Sequence, residues 1–262
     1  MLAPRLIPCL LNSEEGLIKT TNFKNRKYIG DPINTVRIFN EKQVDEILIL
    51  DIDATVLNKQ PNYNLISKLG EQCRMPICYG GGIKTIEQAE KIISLGIEKI
   101  AISSIALENP NFIAEASKRL GSQSIVVVLD VKKSRIIGKN YSIYTKNGTN
   151  KCNQELIKFC KLAESMGAGE LVINSIDKDG KMDGYDFFLI EKIRKNVNIP
   201  ITCLGGAGRI EDFEELFNKF GIIGAAAGSF FVFKGKFRAV LIQYPEKDIK
   251  DNLNLISKKY YR

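Results

Sequence analysis

The sequence predicts a closed, parallel (β/α)8 barrel of the TIM type. Eight short apolar segments alternate with amphipathic segments, and the apolar ones lack the polar alternation of half-exposed strands. Such strands belong to a parallel sheet covered by helices. A doubly wound open sheet is the alternative, but the number and length of the strands favour the barrel. The predicted strands are 5–11, 46–51, 76–80, 98–103, 124–130, 170–175, 200–204 and 222–228.

Two of the intervening segments carry clear helix signals. In 85–95, Thr85 and Gln88 have the spacing of a capping box. In 209–221 the apolar residues recur at helical spacing. The predicted apolar faces consist of Ile86, Ala89 and Ile93 in the first helix and of Ile210, Phe213, Leu216, Phe217 and Phe220 in the second.

The length suits one domain, so we expect residues 1–262 to form a single barrel. We expect a basic, hairpin-like insertion at 131–152, after the fifth strand. Much of the net charge of +8 lies there and in the tail SKKYYR. A solvated surface explains this charge, and an anionic ligand or an acidic partner is the alternative. No nucleic-acid motif accompanies the charge, so we expect no nucleic-acid partner.

The composition also indicates the cellular compartment in which the protein works. No apolar segment approaches the roughly 20 residues of a membrane-spanning helix, and MLAPRLIPCLLN is interpreted as the first strand rather than a signal peptide. The six cysteines lack metal-type spacing and are interpreted as reduced and mostly buried. We therefore expect a cytoplasmic protein without a membrane span.

The sequence contains no histidine. This excludes histidine-dependent acid–base chemistry and most zinc or iron sites. We expect no metal and no cofactor, and any proton transfer must use Asp, Glu, Lys, Cys or Tyr.

The two halves of the sequence also resemble each other. YGGGI at 79–83 matches LGGAG at 204–208, and AISS at 101–104 matches AAGS at 226–229, both at an offset of 125 (204 minus 79, 226 minus 101). The acids of LDIDA and SIDKDG occupy similar places in the two halves. An internal half-barrel repeat explains these matches.

The repeat predicts two phosphate sites, because glycines and small hydroxyl residues at strand ends let backbone N–H groups approach an anion. Two sites on opposite sides of the barrel suit an elongated ligand with a phosphate at each end. Tight βα turns that need glycine are the alternative. The first predicted site, cradle one, consists of Gly81, Gly82, Ser103 and Ser104; the second, cradle two, of Gly180, Gly206, Gly228 and Ser229.

The opposite ends of the strands carry charges. Two cations and two anions open strands 1, 2, 4 and 6, so we expect them to surround the N-terminal mouth of the barrel. A purely structural ring of salt bridges is the alternative to a functional one. We call this set the charged ring; its members are Arg5, Glu46, Lys99 and Glu170.

Several long motifs resemble one family, the cyclase subunit of imidazole glycerol phosphate synthase (HisF). The resemblance extends over about 1–233 and includes MLAPRLIPCL, TNFKNRKYIGDP, ILDIDA, YGGGI, EKIAISS, ALENP, VVVLDVK, GAGELVINSIDKDG, GYD and GGAG.

The resemblance implies a barrel that binds a class I, HisH-like glutaminase on its lower face. Ammonia from that partner crosses the barrel interior, and a charged ring gates its entry. On the upper face the ammonia joins a bisphosphorylated nucleotide, which is cleaved and cyclised. Two aspartates, at the ends of strands 1 and 5, act as general acid and base.

The family residues transfer position by position. The charged ring is complete, Asp130 matches the strand-5 aspartate, and Lys19 matches a loop lysine that closes over substrate. Both phosphate cradles are recognisable, although Ser103 and Ser104 stand where the family usually has Asn and Thr. The further upper-face acids are Asp51, Asp177 and Asp179, the last assigned to the phosphate sites.

Strand 1 departs from the family, because Leu11 occupies the position of its aspartate. Leucine cannot exchange a proton, and Glu14 and Glu15 lie further along a predicted loop. Leu204 replaces a small hydroxyl residue beside cradle two. Beyond Phe233 the resemblance fades into a divergent C-terminal segment, 234–262, with an extended apolar stretch in place of the family's final helix. We expect this segment to contact a partner protein.

Three functions remain open. The preferred one resembles the glycosyl amidation-associated branch of HisF-like proteins, in which the barrel passes ammonia to a sugar amidotransferase that forms an acetamidino group on a nucleotide-linked sugar of lipopolysaccharide. The second is a working cyclase of histidine biosynthesis. The third is a non-catalytic, phosphate-binding scaffold subunit.

Overall fold

Eight parallel strands close into a barrel in the computed structural model, which describes residues 3–134 and 141–260. The strands are β1 (Arg5–Ser13), β2 (Gly16–Thr21), β3 (Lys24–Gly30), β4 (Ile47–Asp51), β5 (Ile77–Gly80), β6 (Lys99–Ile102), β7 (Ile125–Lys133), β8 (Tyr141–Thr145), β9 (Asn150–Glu155), β10 (Glu170–Ser175), β11 (Ile201–Leu204), β12 (Gly224–Ala227), β13 (Phe233–Lys234) and β14 (Ala239–Val240).

The barrel follows the order β1, β4, β5, β6, β7, β10, β11 and β12, and β12 pairs with β1 to close it. The predicted barrel is therefore confirmed, and the open-sheet alternative is wrong. All eight predicted strands are present, with ends displaced by at most three residues. We call the N-terminal ends of the strands the lower face and their C-terminal ends the upper face.

The helices cover the outside of the barrel and connect its strands. They are α1 (Pro32–Glu41), α2 (Tyr63–Gln72), α3 (Ile86–Ser94), α4 (Ser104–Glu108), α5 (Asn111–Leu120), α6 (Leu156–Ser165), α7 (Phe187–Arg194), α8 (Ile210–Phe220), α9 (Ser229–Val232) and α10 (Lys247–Lys259). The capping box of α3 is confirmed, since Thr85 Oγ1 accepts from the Gln88 backbone N–H at 3.3 Å and Gln88 Oε1 accepts from that of Thr85. No helix in the described ranges combines the length and apolar character that crossing a membrane requires.

Alternation along the strands divides the apolar residues into two cores. Outward-facing residues such as Leu10, Ile49 and Ile173 pack against the helices. The inward-facing residues form a smaller core inside the barrel, consisting of Ile7, Cys9, Leu48, Cys78, Ala101, Val126, Val128, Val172, Leu204 and Ala226. The interior of the barrel is therefore packed with small and branched apolar side chains.

Two antiparallel excursions cover the upper face. β1 continues into a tight turn and pairs with β2, so Glu14 and Glu15 form a hairpin turn rather than the predicted loop. β7 continues past the barrel and pairs with β8, which pairs with β9. This places an antiparallel hairpin in the predicted 131–152 insertion, of which 135–140 lie outside the described residues.

The two excursions meet above the barrel. Asn147 Nδ2, in the turn between β8 and β9, donates to the carbonyl oxygen of Ile52 at 3.0 Å. A Cβ added to Gly148 would lie 3.1 Å from the ring of Phe23, in the turn between β2 and β3. These turns therefore roof part of the upper face.

The C-terminal segment combines extended and helical parts. β13 and β14 form a short hairpin within the predicted extended stretch. The segment then forms α10, which packs against α8 and buries Leu253. The sequence did not predict this helix, because its polar residues outweigh its few apolar ones.

Candidate functional site

The charged ring exists and is closed by direct ion pairs. Arg5 donates to Glu46 and to Glu170, the latter at 2.7 Å between Nη2 and Oε1. Lys99 Nζ lies 2.9 Å from Glu46 Oε1 and 3.2 Å from Glu170 Oε2. Thr202 Oγ1 donates to Glu170 as well. Each cation thus contacts both carboxylates, and the four charges sum to zero.

Mutual pairing shifts the pKa values of three members of the charged ring, Arg5, Lys99 and Glu170. Burial by itself lowers the pKa of Arg5 and of Lys99, but the charges of Glu170 and Glu46 outweigh burial, so both pKa values are raised. Burial would raise the pKa of Glu170, yet the Arg5 charge and its hydrogen bond lower it. Arg5, Lys99 and Glu170 therefore remain ionised around neutral pH.

A cavity of about 500 Å³ opens on the upper face, above the apolar interior. Most of the predicted site residues line it together. They are Lys19, Asp51, Gly81, Gly82, Ser103, Ser104, Asp130, Asp179, Gly180, Gly206, Gly228 and Ser229. The structure thus gathers residues from the upper ends of seven barrel strands, together with Lys19, into one site. Phosphate binding by the two cradles stays a prediction.

The two cradles lie on opposite sides of this cavity. Gly81 and Gly82 follow β5 with φ of +134° and +71°, and Ser103 and Ser104 begin α4 after β6. Cradle two has the same construction four strands away, where Gly206 follows β11 and Gly228 precedes α9. This separation suits a ligand with an anionic group at each end.

Asp130 lies on the cavity wall beside Asn174. Asn174 Nδ2 donates to Asp130 Oδ1 at 2.8 Å, since the two residues are neighbours in the register of β7 and β10. Poor solvation raises the pKa of Asp130 to about 7, against the opposing hydrogen bond of Asn174 and with help from the charge of Asp179. A carboxyl group with such a pKa can both take and give a proton near neutrality.

Lys19 lies in strand β2 rather than in a loop. Its Nζ donates to the carbonyl oxygen of Cys9 at 2.7 Å, and a Cβ on Gly228 would overlap it. Burial lowers the pKa of Lys19. The amino group of Lys19 therefore lies beside cradle two, where the negative charge of a bound ligand would favour its protonated form.

The remaining acids differ in their roles. Asp51 Oδ1 accepts from the backbone N–H groups of Asp53 and Ala54 at 3.1 and 3.0 Å, and burial raises its pKa. Asp179 Oδ2 accepts from Thr20 Oγ1 at 2.7 Å and so fixes the β2–β3 hairpin. Both acids line the cavity while organising adjacent loops.

Asp177 lies just beyond the upper end of β10 but does not line the cavity. Its Oδ2 accepts from the backbone N–H of Lys133 at 2.7 Å, where β7 has left the barrel. The continuation of β7 captures this carboxylate, which sequence spacing alone could not indicate.

Leu11 also lies on the cavity wall, half-buried and level with Leu50 in the register of β1 and β4. Leu204 lines the cavity beside cradle two. The cavity wall is therefore apolar at the position on β1 where the resemblance implies an acid–base group.

Sequence reasoning missed several cavity residues. Asn174 is a polar residue within the otherwise apolar segment LVINS, and this interruption could have indicated a site residue. Phe23 and Arg26 belong to the quoted motif TNFKNRKYIGDP, and Arg26 pairs with Asp53 through Nη2 and Oδ1 at 2.6 Å. Asn147 had no local signal, because its place depends on how the β8–β9 turn folds over the barrel.

Comparison with known proteins identifies the family. A family model described as "Histidine biosynthesis protein" matches residues 5–238. The "Imidazole glycerol phosphate synthase subunit HisF" of Hydrogenobaculum sp. (strain Y04AAS1) is 38% identical over 234 residues, which cover 89% of this chain and 92% of the relative. The chain belongs to the HisF family.

Other HisF relatives are more similar in sequence. The "Putative imidazole glycerol phosphate synthase subunit hisF3" of Vibrio vulnificus (strain YJ016) is 52% identical over 95% of this chain and 96% of its own length. A protein of the same description, hisF2, from Pseudomonas aeruginosa PAO1 is 49% identical over 94% of this chain and 97% of its own. The predicted resemblance to HisF is thereby confirmed along nearly the whole chain.

Proposed function

We propose that this HisF chain is the barrel subunit of a glutamine-dependent amidotransferase complex. A HisH-like class I glutaminase binds the lower face, and its ammonia crosses the barrel to the upper cavity. The ammonia then serves amidation, with acetamidino formation on a surface-polysaccharide sugar by a separate sugar amidotransferase. The observation that carries this proposal is the pairing of a complete charged ring with Leu11 in the cavity.

The barrel interior supports the passage of ammonia. Between the ring and the cavity the inward-facing side chains of the inner core are apolar. Ions are strongly disfavoured in such surroundings, whereas a small neutral molecule pays a much smaller desolvation cost. The ring closes the lower end, so a partner that displaces Lys99 or Arg5 would open it.

The cavity supports a function other than cyclisation. Leu11 cannot transfer a proton, and general acid–base catalysis typically contributes about 10²–10⁴-fold to a rate. The relatives at 49–52% identity all carry the word "Putative" in their names, and two of them are numbered hisF2 and hisF3, whereas the relatives named without that word lie at 35–38%. This pattern supports a branch distinct from the ordinary cyclase.

A second candidate is a working cyclase of histidine biosynthesis. Asp130 favours it, because its pKa of about 7 suits acid–base catalysis. Its ligand would be a bisphosphorylated nucleotide across the two cradles, whereas the first candidate allows a nucleotide-linked ligand there.

Cyclase turnover of the purified chain decides between the two candidates. The assay supplies the bisphosphorylated nucleotide and an ammonium salt, so no glutaminase is needed. We expect no turnover by the wild-type chain and a gain with Leu11→Asp, but none with Leu11→Asn, which has similar size and no transferable charge. Turnover by the wild-type chain at the rate of an ordinary HisF would overturn the proposal.

The conduit is tested with Lys99→Ala in the complex with the cognate glutaminase. We expect more ammonia to escape into solution per glutamine hydrolysed, because the variant breaks the ring. Lys161→Ala, which removes an exposed lysine from α6, is the matched control and should leave the coupling unchanged. Unchanged coupling in both variants would favour the scaffold function instead.

A further inference from the structure

One buried polar atom in the cavity wall lacks a partner. Asn174 donates through Nδ2 to Asp130 Oδ1 at 2.8 Å, but Asn174 Oδ1 accepts no hydrogen bond from the described residues. The residue is 6% exposed and lines the cavity, so a donor can reach this oxygen only from the cavity. Exchanging the amide O and N would place an oxygen against the Asp130 carboxylate. The orientation is therefore set by Asp130, and the free oxygen needs a donor from outside the chain.

The position of this oxygen indicates which donor it meets. Asn174 and Asp130 are paired neighbours on β10 and β7. Two residues earlier on the same strands, Val172 and Val128 face the barrel interior within the apolar inner core. Asn174 and Asp130 are thus the first polar side chains on these strands above the interior, and both line the cavity.

We infer that Asn174 Oδ1 and the Asp130 carboxylate form an ammonia-binding site at the upper end of the barrel interior. Ammonia has three N–H donors and one lone pair, so two acceptors can hold it by N–H groups and leave the lone pair free. The lone pair is the nucleophile that an acceptor substrate requires. This inference rests on the proposed passage of ammonia and adds the residues that receive it.

The chemistry distinguishes this site from a general cation site. Potassium is close to ammonium in size but needs a shell of several oxygen ligands, whereas two oxygen acceptors suffice to hold ammonia, so this pair of oxygens should favour ammonia. Asn12 provides an internal control. Its Nδ2 approaches Asp51 Oδ2 at 3.5 Å, near the end of β1, but it does not line the cavity.

The test is an NMR titration of the ¹⁵N-labelled wild-type chain with ammonium chloride in alkaline buffer, and with potassium chloride at equal ionic strength. We expect a saturable shift of the Asn174 side-chain amide with ammonium only, while the Asn12 amide does not move. An unmoved Asn174 amide, or equal shifts with potassium, would overturn the inference. The wild-type titration requires no variant to fold.

A variant separates this inference from the proposed function. In the glutaminase complex, Asn174→Leu should lower ammonia transfer about 2- to 10-fold, as expected for one lost hydrogen bond. Suppose that Lys99→Ala uncouples glutamine hydrolysis from ammonia transfer, but the Asn174 amide signal does not shift with ammonium. The proposed ammonia site is then wrong, and the proposed passage of ammonia is retained. If the Asn174 amide responds but Lys99→Ala changes nothing, the conduit is wrong.

Discussion

The two ends of the barrel differ in how completely their polar groups are satisfied. In the charged ring each cation contacts two carboxylates, and Thr202 supplies a further donor. In the upper cavity Asn174 Oδ1 has no partner among the described residues, and poor solvation shifts the pKa of Asp130. The lower end is self-sufficient without a ligand, whereas the upper end has polar groups that a ligand would satisfy.

This difference separates structural from ligand-dependent chemistry. In a self-satisfied ion-pair ring, losing one partner leaves an uncompensated charge, so the ring should stay closed unless another group replaces the lost contact. An unsatisfied acceptor beside a perturbed carboxyl group is typical of a functional site. The comparison therefore supports the proposal that the lower face receives the glutaminase and the upper face receives small molecules.

The largest loss of stability is expected from a variant that disrupts the charged ring at the lower face. Glu170→Ala leaves Arg5 and Lys99 with one shared carboxylate, and removing one partner of a buried ion pair costs about 3–5 kcal/mol in free energy of unfolding. Urea unfolding measures this loss. Asp183→Ala removes the more exposed pair with Lys178 and should cost at most about 1 kcal/mol. Equal effects of the two variants would show that the ring is no more stabilising than a surface pair.

The next effect concerns Asp130 and pH. Its pKa is raised from 3.8 to about 7, so between these values the folded chain holds a proton that the unfolded chain has lost. Stability from this group is therefore fully present below about pH 4 and falls as the pH rises to about 7. Asp130→Asn does not titrate, so its stability relative to wild type should improve by roughly 2–4 kcal/mol across that window.

Urea unfolding at about pH 4 and about pH 8 measures this Asp130 effect. The amide of the variant can still accept from Asn174, so the comparison isolates the titration. A stability difference that is independent of pH would contradict the raised pKa.

The smallest effect sharpens the interpretation of cradle two. Gly206 has φ of +112°, and a Cβ there would overlap the carbonyl oxygen of Gly184. Gly235 has φ of +73° with no atom within 4 Å of an added Cβ. Gly235→Ala should cost about 1 kcal/mol through φ alone, and Gly206→Ala about 2–3 kcal/mol because overlap is added.

Thermal unfolding, with and without inorganic phosphate, measures the two glycine variants. If cradle two binds phosphate, the stabilisation by phosphate should be smaller in Gly206→Ala, which leaves only cradle one intact, and unchanged in Gly235→Ala. Equal stabilisation of both variants would favour the tight-turn alternative for this glycine.

The sequence by itself determined the barrel strands, the capped helix α3, the charged ring and the absence of an acid at Leu11. These features follow from local patterns: apolar runs of strand length, a capping pair three residues apart, and charges at or just before the first residues of four strands. Because parallel strands enter a barrel in the same direction, strand position alone assigns a residue to the upper or lower face.

Only the tertiary structure decided how the polar groups of the upper face pair. The capture of Asp177 by Lys133, the burial of Lys19 against Cys9 and the unsatisfied oxygen of Asn174 each depend on segments distant in sequence. Hydrogen-bond satisfaction is a property of three-dimensional neighbours, and the two antiparallel excursions that supply those neighbours have no fixed place until the barrel has closed.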